Sequence, residues 1–167
     1  MEPRDNTTRA VAEWLEVHPD ADLVGYSIRR RIARIHAIVD NEINELVALH
    51  GFDSYGDYAL VSTIRRSPIP LRPRQLAKDL LLTPAGVTGR LERTGRIGFI
   101  QREPASNDAR GYVVRCTDLG RERTDAAFKA IESYDTHRFV ISLGADEPEI
   151  LARLLGTLAA GLDSRGM

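Results

Sequence analysis

One cysteine in 167 residues, Cys116, excludes an internal disulfide framework and suits a reducing compartment. No run of eighteen apolar residues occurs, and no basic-then-apolar leader, so neither a membrane span nor a secretory signal is expected and the expected location is the cytoplasm. Reactive constellations are missing too. The chain contains no G-x-S-x-G, no Walker loop and no dinucleotide fingerprint. His18, His36, His50 and His137 form no i, i+4 pair and have no second cysteine to help them. No metal, no cofactor and no enzymatic activity is therefore expected.

Charge of one sign is also missing: the net charge is −1, which at first counts against a polyanion partner, because phosphate binding is driven by exchange of cations. The distribution removes the objection. Residues 65 to 115 carry eleven Lys and Arg against four acids, a net +7, which leaves −8 on the rest of the chain. A basic centre between acidic flanks suits a nucleic-acid module set in an acidic scaffold.

What is present is mostly helical pattern, and 43% apolar content is enough for a core. Asn6-Thr7-Thr8 is a capping sequence for a short helix with Ala10, Val11, Trp14 and Leu15 on one face, ending near Val17. From Leu23, apolar residues step by three to five through Ile28, Ile32, Ile35, Val39, Ile43, Leu46 and Leu49, a long amphipathic helix closed by His50-Gly51. Its length exceeds what one small core needs, so part of it is expected at a subunit interface. Ser54 or Asp53 begins a third helix, broken at Ser67-Pro68-Ile69-Pro70, and Arg72-Pro73 begins a fourth. Thr117-Asp118 caps a long helix running through Ile141, Leu143-Gly144 breaks it, and Asp146 opens a last helix carrying Leu151, Leu154 and Leu158.

The densest signal lies between Thr83 and Gly111. Thr83-Pro84 is a cap followed by an N1 proline, so a helix is expected from Pro84. At 100° per residue, Val87, Leu91 and Thr94 share one face, while Ala85, Gly86, Gly89, Arg93 and Arg96 share the other. Small residues alternating with arginines let a backbone approach a polyanion while cationic arms reach past it. Ile100–Glu103 and Tyr112–Cys116 have strand composition, with the eight residues Pro104 to Gly111 expected as the loop between them. Cys116 should alternate with Val114 onto the buried side, as a small core residue. A short helix, a turn, a second helix and an arginine-tipped hairpin form the pattern of a winged helix-turn-helix, with the second helix for the major groove and the hairpin for the minor groove.

The stretch LLTPAGVTGRLERTGRIGFIQREPASNDARGYVVRCTDLGRE resembles the multiple antibiotic resistance regulator (MarR) family of transcription factors, including its Asp108-x-Arg110-Gly111 wing and the Thr117-x-x-Gly120 helix start. The resemblance covers roughly Leu23 to Leu158. It implies a mainly α fold with long N- and C-terminal dimerisation helices and one β-hairpin wing. On that plan residues 1–52 form N-terminal dimerisation helices, 53–116 the DNA-binding lobe and 117–167 the C-terminal dimerisation helices. The implied function is that of a ligand-responsive repressor, a homodimer whose recognition helices lie about one DNA turn apart, roughly 34 to 36 Å, on a palindromic operator. The other reading is a winged-helix protein-interaction module without specific DNA binding.

Candidate DNA contacts are Thr88, Arg90, Arg93, Arg96, Asp108 and Arg110. Arg110 would enter the minor groove while Asp108 holds the wing; Arg93 would reach bases; Arg90 would meet a phosphate or the wing aspartate. Thr94 and Arg96 depart from the family pattern, which predicts a helix end that frays or rotates. The family also places an effector pocket where the dimer-forming helices meet the DNA-binding lobe. Trp14, His36, Tyr55, Tyr58 and Arg65 are its candidate liners here, and aromatic and arginine liners would suit a small aromatic acid.

Overall fold

The structure, a computed structural model, describes residues 5–105 and 108–164, with only the backbone of 108–110. Helix α1 spans Asn6–Val17. Its N-cap is Asp5 rather than a residue of Asn6-Thr7-Thr8: the carboxylate accepts from the Thr7 and Thr8 N–H groups at 2.9 and 2.8 Å. A carboxylate also answers the positive end of the helix dipole, which a neutral side chain cannot. Arg31 of α2 (Val24–Ala48) reaches the same group at 3.0 Å, so one residue caps α1 and fastens it to α2. The Thr8 backbone hydrogen bond is the main reason the Asp5 carboxyl lies below its ordinary pKa.

Around one core pack α3 (Tyr55–Arg66), α4 (Pro73–Asp79), α5 (Pro84–Arg96), the antiparallel strands β1 (Ile100–Ala105) and β2 (Asp108–Cys116), and α6 (Asp118–Asp135). Val47, Phe52, Leu60, Val61, Leu76, Leu91 and Val114 are buried at its centre. Phe52 meets Tyr58 and Phe99 edge-on, with ring centroids 5.5 and 4.9 Å apart.

The hairpin and the break before α4 also depart from the sequence reading. The hairpin is longer than expected: pairing runs from Ile100↔Cys116 to Pro104↔Tyr112 and then slips, so that Ala105 faces Asp108. Proline lacks an N–H for the ladder, and the slip falls at Pro104, where a bulge tolerates it. The Ser67–Pro70 break is also more than a break. It delivers Leu71 to β2, where Leu71 and Val114 exchange backbone hydrogen bonds of 3.2 and 2.9 Å.

Between α4 and α5 the chain turns on Leu81, a non-glycine residue at φ 52° with its side chain in solvent. That left-handed conformation costs roughly 1–2 kcal/mol, and the buried residues on either side of the turn hold it. At its far end α6 does not continue as α-helix to Ile141. Thr136–Ile141 winds as a π-helix, and α7 (Glu147–Asp163) follows.

The ends of the chain look different from the middle. In α2 only Ile43 and Val47, near its C-terminus, are buried, while Ile28, Ile32 and Ile35 are 47, 41 and 49% exposed. No residue of α7 is buried, and Leu151, Leu154, Leu155 and Leu158 lie open. Among the described residues, apolar stripes of this length stay largely uncovered. No helix among the described residues is long and apolar enough to cross a membrane.

Candidate nucleic-acid interface

The geometry of α5 begins with Thr83, whose side chain accepts from the Gly86 N–H at 3.1 Å, and Pro84 stands in its first turn. Val87, Leu91 and Thr94 are buried, 1, 0 and 0% exposed, which fixes the rotation of the helix. The helix end is not frayed. Thr94 Oγ1 donates to the Arg90 carbonyl at 2.7 Å, and the Thr94 carbonyl accepts from Phe99 N–H at 2.9 Å. A buried threonine is tolerated because its own helix supplies the acceptor.

This rotation sorts the expected contacts. Thr88 and Arg96 are exposed, as is Ala85. Arg93 is not directed outward. Its Nε and Nη2 donate to Asp57 Oδ2 and Oδ1 at 3.0 and 2.8 Å, and Asp57, in the first turn of α3, is 2% exposed. The bidentate pair raises the Arg93 pKa. Arg90 turns the same way: a β-carbon at Gly56 would run into its guanidinium, so the absence of a side chain there is what admits it. Helical periodicity gives the outer face of α5 but not the neighbour occupying part of it, and that neighbour is the N-terminal turn of α3. Asp57 and Gly56 carry no local signal of this role. The side chains of Asp108 and Arg110 lie outside the described residues.

On the wing side, α5 and β1 enclose an open cleft of about 450 Å³ lined by Leu91, Glu92, Gly95, Arg96, Ile100 and Arg102. Arg102 lies 5.0 Å over the Tyr112 ring, which holds its charge at the edge of the hairpin. Arg115 is paired with Glu103 across the strands at 3.0 Å.

The expected ligand-site residues divide. His36 and Tyr55 share a cavity of about 260 Å³ with Val39, Asp40, Ile43, Ile131 and Asp135. Trp14 is 47% exposed on α1, stacked on His18 with centroids 5.7 Å apart. Tyr58 is 5% exposed in the core, beside Tyr55 at 5.9 Å. Arg65 does not reach the cavity; it is held by Asp125 of α6 at 3.2 and 3.1 Å. The cation expected to meet an aromatic acid is thus committed elsewhere, and two carboxyl groups line the cavity instead, which disfavours an acidic ligand in it.

Burial raises the Asp135 pKa above 3.8, and no cause opposes it. A raised carboxyl binds its proton more tightly folded than unfolded, so its contribution to stability is full below the unfolded value and is lost as pH rises through the folded one. Asp135→Asn is therefore expected to raise Tm by about 2 °C near pH 7 and to change nothing near pH 3. Thermal melts at the two pH values test this, and a gain that persisted in acid would contradict it.

The chain matches no protein-family profile. It is 22% identical over 147 residues to the HTH-type transcriptional regulator PecS of Dickeya dadantii (strain 3937), covering 87% of each protein. Wild-type MarR of E. coli in its apo form superimposes with a TM-score of 0.69 at 23% identity, over 83% of this chain and 98% of that one. The transcriptional repressor CouR bound to a 23-mer DNA duplex gives 0.70 at 22% identity, over 82 and 92%. CouR from Rhodococcus jostii RHA1 is also similar when bound to p-coumaroyl-CoA, at 0.68 and 18% identity, over 78 and 88%.

Proposed function

We propose that this chain, which has the winged helix-turn-helix fold of the MarR-family regulators, is a sequence-specific DNA-binding repressor acting in the cytoplasm as a homodimer on a palindromic operator. The observation that carries the reading is the exposed edge of α5, with Thr88 and Arg96, set beside a hairpin in a segment of net charge +7. Residues 53–116 would form the DNA-binding lobe, and residues 1–52 and 117–167 the dimerisation helices. The largely uncovered apolar stripes of α2 and α7 support that division, since two copies would cover one another's.

In this reading Arg96 and Thr88 enter the major groove, Arg110 reaches the minor groove with Asp108 bracing the wing, and Arg90 and Arg93 hold the recognition helix against α3. A small effector in the cavity of His36 and Tyr55, between α2, α3 and α6, would favour a dimer geometry whose recognition-helix spacing no longer fits the half-sites. An effector with an aromatic ring suits Tyr55.

Binding of the protein to a random duplex pool, with sequencing of the retained DNA at low and near-physiological salt, tests the reading. An inverted repeat is the expected result. Weak binding abolished by salt, with no enriched sequence, would favour an interaction module. Arg110→Ala should weaken binding to the enriched repeat and lower the slope of log K against log salt by about one. An unchanged slope would remove Arg110 from the contact.

A further inference from the structure

Glu92 lies on the exposed edge of α5, one helical turn from Thr88 and one from Arg96, in steps of about 6 Å along the helix. With Val87, Leu91 and Thr94 fixing the inward direction, Glu92 and Arg96 flank the outermost line of the helix on the side of the wing. Both line the cleft that opens towards β1. No hydrogen bond or ion pair holds Glu92 among the described residues, although Arg96 stands at i+4 and Arg102 lines the same cleft. Glu103, another acid of the basic centre, is neutralised by Arg115.

An unpaired carboxylate on this edge repels phosphate whatever the sequence, so it weakens binding to every duplex that offers it nothing in return. Two groups in the major groove do offer something, the N4 amino group of cytosine and the N6 amino group of adenine. A glutamate can accept from either, but adenine sets the N7 acceptor beside its amino group, which repels a carboxylate, whereas cytosine has only a C–H there; the G and T edges present no donor. We infer that Glu92 is a specificity-determining residue: it reads one cytosine in each half-site and penalises DNA that lacks it. This rests on the DNA-binding reading above and adds to it the base that one side chain selects. Arg96, a turn further on, would read a neighbouring guanine or neutralise a phosphate beside it. Thr88 contributes less by hydrogen bonding, because its hydroxyl is already donated to the Pro84 carbonyl at 3.0 Å.

The test is selection from the random duplex pool with the full-length wild type, Glu92→Ala and Glu92→Gln, together with affinity for a duplex lacking the enriched repeat. The wild type should enrich a repeat with one cytosine conserved in each half. Glu92→Ala should lose about tenfold of the preference at that position alone, keep the other positions, and bind the non-specific duplex more tightly. Glu92→Gln should move the preferred base towards adenine, whose N6 and N7 match an amide in two hydrogen bonds. If both variants enrich the wild-type repeat with its cytosine preference intact, the inference fails while the DNA-binding reading stands. If preference falls equally at all positions, Glu92 shapes the helix and reads no base. A wild-type pool with no enriched repeat would overturn both readings.

Discussion

Arg93→Ala is expected to lower the unfolding free energy by about 3 kcal/mol, which for a chain of this length is a fall in Tm of roughly 6 to 12 °C. The size of the effect comes from Asp57. Its carboxylate is 2% exposed and has both oxygens occupied by Arg93, so removing the guanidinium strands a charge where water reaches poorly. The reverse substitution is milder. The Arg93 side chain is 41% exposed and is able to swing into solvent once released, so Asp57→Ala should cost about 1 to 2 kcal/mol. The double variant should then be more stable than Arg93→Ala alone, an ordering that independent sites would not give.

The same pair has a consequence for DNA. If Arg93 positions α5, its loss should weaken binding to specific and non-specific duplexes alike. A base-reading arginine would instead relax preference at one position by about 1 to 3 kcal/mol and leave stability alone. Melts and pool selection on one variant therefore separate the two roles. A Tm within a degree of wild type, with one base position relaxed, would reverse the assignment of Arg93 to positioning.

Much of the fold is legible because its signals are local. Thr83-Pro84, Ser54 and Thr117 are caps whose partners lie three residues away, and the structure has each of them accepting there. Spacing alone puts Val87, Leu91 and Thr94 inward, and strand alternation does the same for Val114 and Cys116. The features that sequence reading misses depend on residues far apart in the chain. Asp57 and Arg93 are separated by 36 positions, and no pattern in α5 reveals that α3 begins against it. Arg65 groups with the aromatic residues by type, yet its partner acid comes from α6, 60 positions away. The Asp5 cap is hidden by three further capping residues behind it, and its carboxylate is also held by Arg31 from the next helix. The π-helix at Thr136–Ile141 has no marker in composition. Glu92 is visible as an acid in a basic segment, but only the rotation of α5 puts it on the outer edge.

Gly120→Ala should be at least as damaging as the loss of Arg93, again by about 3 kcal/mol or more, for a steric reason. Gly120 is buried in the first turn of α6, where its N–H is held by the Thr117 cap at 3.0 Å. A β-carbon there would overlap the Phe99 carbonyl group, lying 2.8 Å from its carbon and 2.9 Å from Cys116 Sγ. The sulfur is a side chain and could be removed, but the carbonyl is backbone and already accepts from the Thr117 N–H at 3.1 Å. Relief therefore requires α6 to shift away from the start of β1, which would disturb the junction between the wing and the long helix behind it. Cys116→Ala should for that reason recover little of the loss when combined with Gly120→Ala. Substantial recovery in thermal melts of the double variant would mean that the sulfur, not the carbonyl, sets the limit. The wing is carried on the same junction, so Gly120→Ala protein that remains folded at low temperature should also lose DNA affinity. At exposed Gly156, on the face of α7 away from its leucine stripe, a β-carbon would meet nothing within 4 Å, so alanine there should produce neither effect.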